Sequence, residues 1–312
     1  MNPIRSVLVI VDPTAQQHPA VAKAALLAQK FQARLDLFIC DTKAARDLRH
    51  AAYVKSGTSS PPIVDMKELL ENLAQPLRAR GLDVTTETTR ADPLHIALVE
   101  RVKHTCAELV VKDTHHHTLA QRTILTHTDW ELIRSCSVPL LLTKPRPWAS
   151  SPCICAAVDP GHADDKPAML DHYILELSTE LAARLNGNSQ VVHAYIPAAL
   201  IAATAAGVSF SMADVTPEML AVERERKMKE LLALASDYRI PASNIHLQLG
   251  GAVEQLCRLA EQLDADVMTM GAISRGALKR ILIGSTAENI LERLPCDALI
   301  VKSPNFAELL AM

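Results

Sequence analysis

The residues with the clearest chemistry are a loop and one aspartate in the second half of the chain. Met270-Gly271-Ala272-Ile273-Ser274-Arg275-Gly276 is followed, after residues 277–283, by Gly284-Ser285-Thr286 at the start of a helical segment. Glycines let backbone N–H groups approach an anion closely, and a helix N-terminus offers unsatisfied donors and the positive end of a dipole. Ser285 and Thr286 add hydroxyl donors, so the loop suits a phosphate, each donor contributing on the order of 1–3 kcal/mol to a charged oxygen. Val158-Asp159-Pro160 directly follows the first strand of the same half. The Asp159 carboxylate there could hold an adenine amino group or a ribose hydroxyl. Glycines at a strand–helix link also serve as plain turn residues, and that reading stands beside the phosphate one.

Short apolar runs and longer helical segments alternate around these residues. In the first half, strands are expected at 4–11, 35–40, 108–112 and 139–143, with a more polar candidate at 83–88 near a sheet edge. Helices are expected at 18–33, 64–80, 93–105 and 127–136. In the second half the strands fall at 153–158, 190–196, 245–249, 266–270 and 298–302, and the helices at 167–186, 217–238, 252–263 and 285–294. Asp92-Pro93 reads as a cap followed by proline at the first helical position, as does Thr216-Pro217. Gly81 closes the helix at 64–80. Continuous apolar strands alternating with helices predict an α/β fold of two doubly wound domains, each a parallel sheet with right-handed crossovers and helices on both faces. Ligands in such sheets bind beyond the carboxyl ends of the strands where strand order reverses, which is where the Asp159 and Gly271 loops meet.

The two halves are copies of one another. Val9-Ile10-Val11-Asp12-Pro13 recurs 147 positions later as Ala156-Ala157-Val158-Asp159-Pro160. Residues 107–113 match 265–271 at an offset of 158, which holds without a gap to Lys144 and Lys302. Arg122/Arg280, Thr128/Thr286 and Leu141/Leu299 are identical on the way. The growing offset places net insertions in the second copy, some of them around 197–216. Pro147 and Ser150-Ser151-Pro152 set the boundary at about 146–152, giving domains of 1–146 and 152–312.

With the glycine loop, the first-strand aspartate and the second-strand segment Val191-Val192-His193-Ala194-Tyr195 in view, the chain resembles the universal stress protein family. Gly271 and Gly284-Ser285 keep the family's 13-residue separation, whereas Ser274 stands at the middle glycine. The resemblance covers 4–144 and 153–302. The first-half loop Lys112-Asp113-Thr114-His115-His116-His117, with Thr128-Asp129-Trp130 beyond it, is similar to the tandem subgroup E of that family. The resemblance implies a five-stranded parallel sheet of order 3-2-1-4-5 in each half, a role in stress response, and ATP or AMP bound in the motif loop. It places Val158, Asp159, Pro160, Ala194, Met270, Gly271, Ser274, Gly276, Gly284, Ser285 and Thr286 at the nucleotide, with Mg²⁺ accompanying a triphosphate. It also implies that the two halves pair within the chain near 139–143 and 298–302, as single domains of the family dimerise; a further homodimer is compatible with this. In the first half Asp113, His116 and Thr126-His127 stand where Gly271, Ser274 and Gly284-Ser285 stand, and an aspartate facing a phosphate would repel it, so that site reads as lost.

Other features point elsewhere. His193 at a strand end reads as a hydrogen-bonded core residue before a ligand. His115-His116-His117 invites a metal, but consecutive histidines on an irregular loop diverge and Asp113 is the sole carboxylate beside them, so a packed or solvated loop is the expectation and no metal is assigned. The segment 196–212 is unusually apolar for a connection: it either packs on its own domain or the other half, or covers an apolar ligand or a subunit contact. No Ser–His–Asp order, HExxH or Walker loop occurs, so no catalytic residue is assigned and ATP turnover would be slow, with Asp159 its one candidate carboxylate. Apolar residues make up 49% and aromatics 3%, so the cores must be built from Leu, Ile, Val and Ala. A net charge of −3 gives no basis for binding nucleic acid or an anionic membrane. No apolar run is long enough to span a membrane, the N-terminus has no signal-peptide pattern, and seven scattered cysteines fit a reducing cytoplasm. The leading expectation is a cytoplasmic stress-response protein with an adenine nucleotide in the second half as a switch or stabiliser. The alternatives are a nucleotide-independent scaffold for an apolar small molecule or a protein, and a weak ATPase.

Overall fold

The computed structural model of the protein describes residues 4–43, 46–47, 65–117, 122–124, 127–160, 169–207, 209, 211–272 and 285–302. The chain divides into two compact units, Asn2–Pro147 and Trp148–Met312. The first runs β1 (Ser6–Ile10), α1 (Pro19–Phe31), β2 (Arg34–Cys40), α2 (Met66–Ala79), β3 (Val84–Thr89), α3 (Leu94–Thr105), β4 (Leu109–Asp113), β5 (His115–His117), β6 (Arg122–Ile124), α4 (His127–Ser135) and β7 (Leu140–Thr143). Its parallel strands lie in the order β3-β2-β1-β4-β7. The second runs β8 (Cys153–Ala157), α5 (Leu170–Arg184), β9 (Asn188–Tyr195), α6 (Ala198–Ala205), α7 (Pro217–Ser236), β10 (Ile245–Leu249), α8 (Ala252–Gln262), β11 (Val267–Gly271), α9 (Ser285–Arg293) and β12 (Asp297–Val301). Its strands lie in the order β10-β9-β8-β11-β12, again parallel. Both units therefore have the expected 3-2-1-4-5 order. Strand order reverses at β1 and at β8, so right-handed crossovers place the first two crossover helices on one face and the later ones on the other.

The central strands are buried at nearly every position because helices cover both faces. Val7, Leu8, Val9 and Val110, Val111 are fully enclosed in the first unit, and Ile154, Val191, Val192, Val267 and Met268 in the second. Enclosing each such side chain contributes about 1.5–3 kcal/mol, which is how an aromatic-poor sequence builds two cores. β3, with the pattern Val-Thr-Thr-Glu-Thr-Thr, alternates in burial at the edge of its sheet, as its polarity predicts.

Local signals set the helix ends. Asp65 caps α2 by accepting from the N–H groups of Lys67 at 2.8 Å and Glu68 at 3.3 Å. Gly81, at φ +84°, stops the same helix: its N–H donates to Arg78 O at 2.9 Å and that of Leu82 to Leu77 O at 3.2 Å. Thr216 caps α7 through Met219 N at 3.3 Å, with Pro217 at the first helical position. One expected cap is different. Pro93 itself is the extended cap residue of α3, at φ −86° and ψ 159°, and Asp92 makes no capping bond. The fixed φ of proline suits the extended cap position as well as the first helical one. Two expected irregular segments are also ordered. The 115–117 stretch pairs antiparallel with 122–124 in a hairpin rather than forming an irregular loop, because the local backbone bonds are closed across a short connection. The 196–212 connection contains α6 and a short 3-10 turn at Met212–Asp214.

Candidate functional site

The ends of β8, β9 and β11 come together at the reversal point of the second sheet. Met270 lies opposite Ala157, which lies opposite Val192. That register carries Val158, Asp159, Ala194, Met270 and Gly271 to one end of the sheet. Val158 is buried, and its N–H donates to Val192 O at 3.2 Å, extending the sheet by one bond past β8. Asp159 then turns out to partial exposure, and its N–H donates to Asp171 Oδ1 at 3.3 Å. Asp171 lies in the first turn of α5, where a carboxylate is favoured by the helix dipole, and it holds the Asp159 backbone in place. Of the other expected residues, Pro160 follows in the same strand-end segment, Ser285 and Thr286 open α9, and Ser274, Gly276 and Gly284 lie outside the described residues.

His193 is enclosed behind Asp159. Its Nδ1 is 2.9 Å from Val158 O and 3.8 Å from Asp159 Oδ1. A carbonyl only accepts, so Nδ1 carries the proton in the neutral ring, and Nε2 is left buried without a hydrogen-bond partner among the described residues. Burial holds the His193 pKa below the ordinary histidine range, against the opposing pull of Asp159 and the Val158 carbonyl. The expected core role is therefore the one found, with an orienting contact to the loop aspartate.

Gly271 has a packing reason of its own. A Cβ there would stand 2.7 Å from Leu170 Cδ2 and 3.3 Å from Ile174 Cδ1 on α5. A side chain there would have to displace the Leu170 side chain, which agrees with the plain structural reading of this glycine, and the contact brings the start of α5 against the site.

The same position in the first unit is Asp113, and its carboxylate does something different from facing a ligand. Oδ1 accepts from Ala20 N, in the first turn of α1, at 2.7 Å and from Thr143 Oγ1 at 2.7 Å. The anion that suits a helix N-terminus is thus supplied by the protein itself. Burial pushes the Asp113 carboxyl above the usual range, opposed by the Thr143 and Ala20 donors and by His18 and Lys112 nearby. Beside it, Lys112 Nζ pairs with Asp129 Oδ1 at 2.7 Å and donates to Asp113 O at 2.9 Å, with Asp129 fully enclosed. At the constant offset of 158, Lys112, Asp113, Asp129 and Thr143 correspond to Met270, Gly271, Ala287 and Val301. One copy fills this end of the sheet with a buried polar network where the other has apolar residues and a glycine. The network joins residues up to 93 positions apart, so sequence reasoning identified Asp113 but missed Thr143 and the α1 terminus as its partners. The signal it had was the simultaneous polarity of all four positions.

Among the described residues no group of three or more His, Cys, Asp and Glu side chains is placed to hold a metal ion, and no helix is long and apolar enough to cross a membrane. None of the seven cysteines forms a disulfide.

The chain matches the model of the universal stress protein family twice, over residues 3–144 and 154–302. It is 23% identical to universal stress protein E of Salmonella typhi over 312 residues, covering 97% of this chain and 95% of the relative. It is 25% identical to the universal stress protein E homolog of Haemophilus influenzae, covering 96% and 97% of the two chains. Among solved structures, a functionally unknown protein from Pseudomonas aeruginosa PAO1 superimposes with a TM-score of 0.75 at 27% identity, covering 99% of this chain and 96% of that one. Two matched repeats, the 3-2-1-4-5 order in each unit and near full-length similarity agree: the chain belongs to the universal stress protein family, as a tandem two-domain member resembling universal stress protein E.

Proposed function

We propose that the protein is a cytoplasmic stress-response binding protein whose second unit takes an adenine nucleotide, ATP or AMP, as a switch or stabiliser. The observation that carries this reading is the difference between the two copies. The first unit supplies its own anion, Asp113, to the start of α1, whereas the second has Gly271 at that position and a half-exposed Asp159 at the neighbouring strand end. In this reading Asp159, held by Asp171 and flanked by His193, takes the adenine or ribose, with Val158, Pro160, Ala194 and Met270 forming the walls. Gly271, Ser274, Gly276, Gly284, Ser285 and Thr286 hold the phosphates. Titration calorimetry of the purified chain with ATP and AMP tests it. Binding that weakens at least tenfold in Gly284→Asp is expected; no binding of either nucleotide at millimolar concentration would remove the switch, and unchanged affinity in that variant would move the site elsewhere. Pairing of the two halves within the chain belongs to the same reading, and co-purification of separately expressed 1–147 and 148–312 checks it.

A second reading, a scaffold for an apolar small molecule or a protein partner, is favoured by one observation. No residue of α6 is buried, and Ile196, Ile201 and Met212 are 42%, 49% and 44% exposed. Deletion of 198–210 changes oligomer size or ligand retention under that reading, and leaves both untouched if the segment is only a connection.

A further inference from the structure

We infer that the first unit carries a separate binding site for a phosphate monoester at the amino-terminal end of its sheet, opposite the end where the strands' loops converge. A cavity of 480 Å³ opens there between the start of β1, the ends of α1 and α2 and the lead-in to β3. Three arginines line it, Arg5, Arg34 and Arg80, against one carboxylate, Asp83. Arg34 is fixed in position: its Nε donates to Ser6 Oγ at 3.1 Å and its Nη2 to Thr105 O, while no described residue takes a bond from Nη1. Neither Arg5 nor Arg80 forms an ion pair among the described residues, although the Arg5 backbone N–H donates to Glu108 Oε2. The guanidinium groups are therefore available to an incoming anion, and a planar fork of N–H donors matches phosphate oxygens. The volume exceeds that of a bare phosphate and lies in the range of small-molecule sites. Gln29 and Gln32 on its wall offer amides to a neutral polyol body.

A cation at the end of a helix also offsets the helix dipole, and Arg80 is the cap residue of α2. The sister unit separates the two explanations. There the register places Pro152 and Asn188 where Arg5 and Arg34 stand, and α7 ends on Asp237 in the place of Arg80. A Cβ on Gly187 would lie 2.2 Å from Pro152 O, where the first unit has Ala33, while the adjoining backbone bonds, Asn188 N to Pro152 O and Arg34 N to Arg5 O, are both 3.0 Å. The same fold thus forms without arginines at the Arg5 and Arg34 positions. The end of α7 keeps a cation in Arg239, so it is the Arg5 and Arg34 charges that belong to the first copy and that the fold does not account for.

Calorimetric titration of the full chain with inorganic phosphate, glucose 6-phosphate and acetate tests the site, with the double variant Arg5→Gln/Arg80→Gln and, separately, Gly284→Asp. Both substituted arginines are exposed, so the variant is expected to keep the thermal midpoint of the parent. Expected are salt-sensitive binding of the two phosphate ligands, tighter for the monoester, a loss of at least about tenfold in the arginine variant, and no change in Gly284→Asp. Equal binding of acetate overturns the phosphate class. Unchanged affinity in the arginine variant or no phosphate binding at all overturns the site without bearing on nucleotide binding in the second unit, and loss in Gly284→Asp overturns it by moving the phosphate to the second unit's loop.

Discussion

Asp113 and His193 sit at corresponding ends of the two sheets and respond to burial in opposite ways. Asp113 is pushed up by desolvation yet holds the start of α1 and Thr143, so its removal leaves the Ala20 N–H without that acceptor and the Thr143 hydroxyl with Lys112 O at 3.3 Å. Asp113→Ala is expected to lower the stability of the first unit by about 1–3 kcal/mol, read by denaturant unfolding, whereas Asp113→Asn, which keeps an acceptor oxygen, costs less. His193 has its pKa depressed by enclosure. Between that lowered value and the ordinary histidine range the unfolded chain binds the proton and the folded one does not, so the stability contributed is present above the ordinary value and lost as pH falls through the window. Thermal midpoints from neutral pH down to about pH 5 are expected to fall more steeply for the parent than for His193→Gln, with the reference histidine pKa near 6.5. Parallel curves would mean that His193 takes up its proton equally in the folded and unfolded states. Neither partner set could be read from spacing: the residue types were visible, but Asp113 and Ala20 stand 93 positions apart.

At the scale of elements, α3 is locked to β2 by a buried ion pair. The Asp36 carboxylate accepts from Arg101 Nε and Nη2, both at 2.7 Å, and from Thr85 Oγ1 at 2.8 Å, while Arg101 Nη1 reaches Glu87 at 3.0 Å. Asp36 is 1% exposed, and Arg101 also lies over the Phe38 ring. Asp36→Ala leaves a nearly enclosed guanidinium without its main partner and is expected to cost about 3–5 kcal/mol, enough to unfold the first unit in mild denaturant. A cost below 1 kcal/mol would show that water reaches Arg101. Sequence periodicity placed β2 and α3 within a residue or two, because their apolar faces repeat at the right period. The pair between them stayed hidden because a charged residue in an apolar strand carries no mark of its partner 65 positions on. The same limit applies to α6: its composition is almost wholly apolar, and composition alone does not say that none of its residues is buried.

For the molecule as a whole, each unit has a closed set of parallel pairings and its own core, and the residue after the boundary already belongs to the second: Trp148 Nε1 donates to Asp297 Oδ2 at 2.8 Å. Residues 148–312 expressed alone are therefore expected to unfold cooperatively, with Trp148 fluorescence and far-UV dichroism changing together. Non-coincident transitions would show that this core is incomplete without the first unit. By itself the sequence determined the repeat, the α/β class, the order of the main strands and helices and the end of the second sheet at which Asp159 and Gly271 meet. These follow from apolar periodicity and chain connectivity, which are local properties. Tertiary structure decided what the marked residues do there. The Leu170 side chain of α5 lies where a Cβ on Gly271 would stand, and Asp113 is spent on α1 and Thr143. Arg5, Arg34 and Arg80, scattered along the chain, share one cavity wall. Each of these depends on which distant groups the fold brings within a few ångströms, a distance that sequence spacing does not encode.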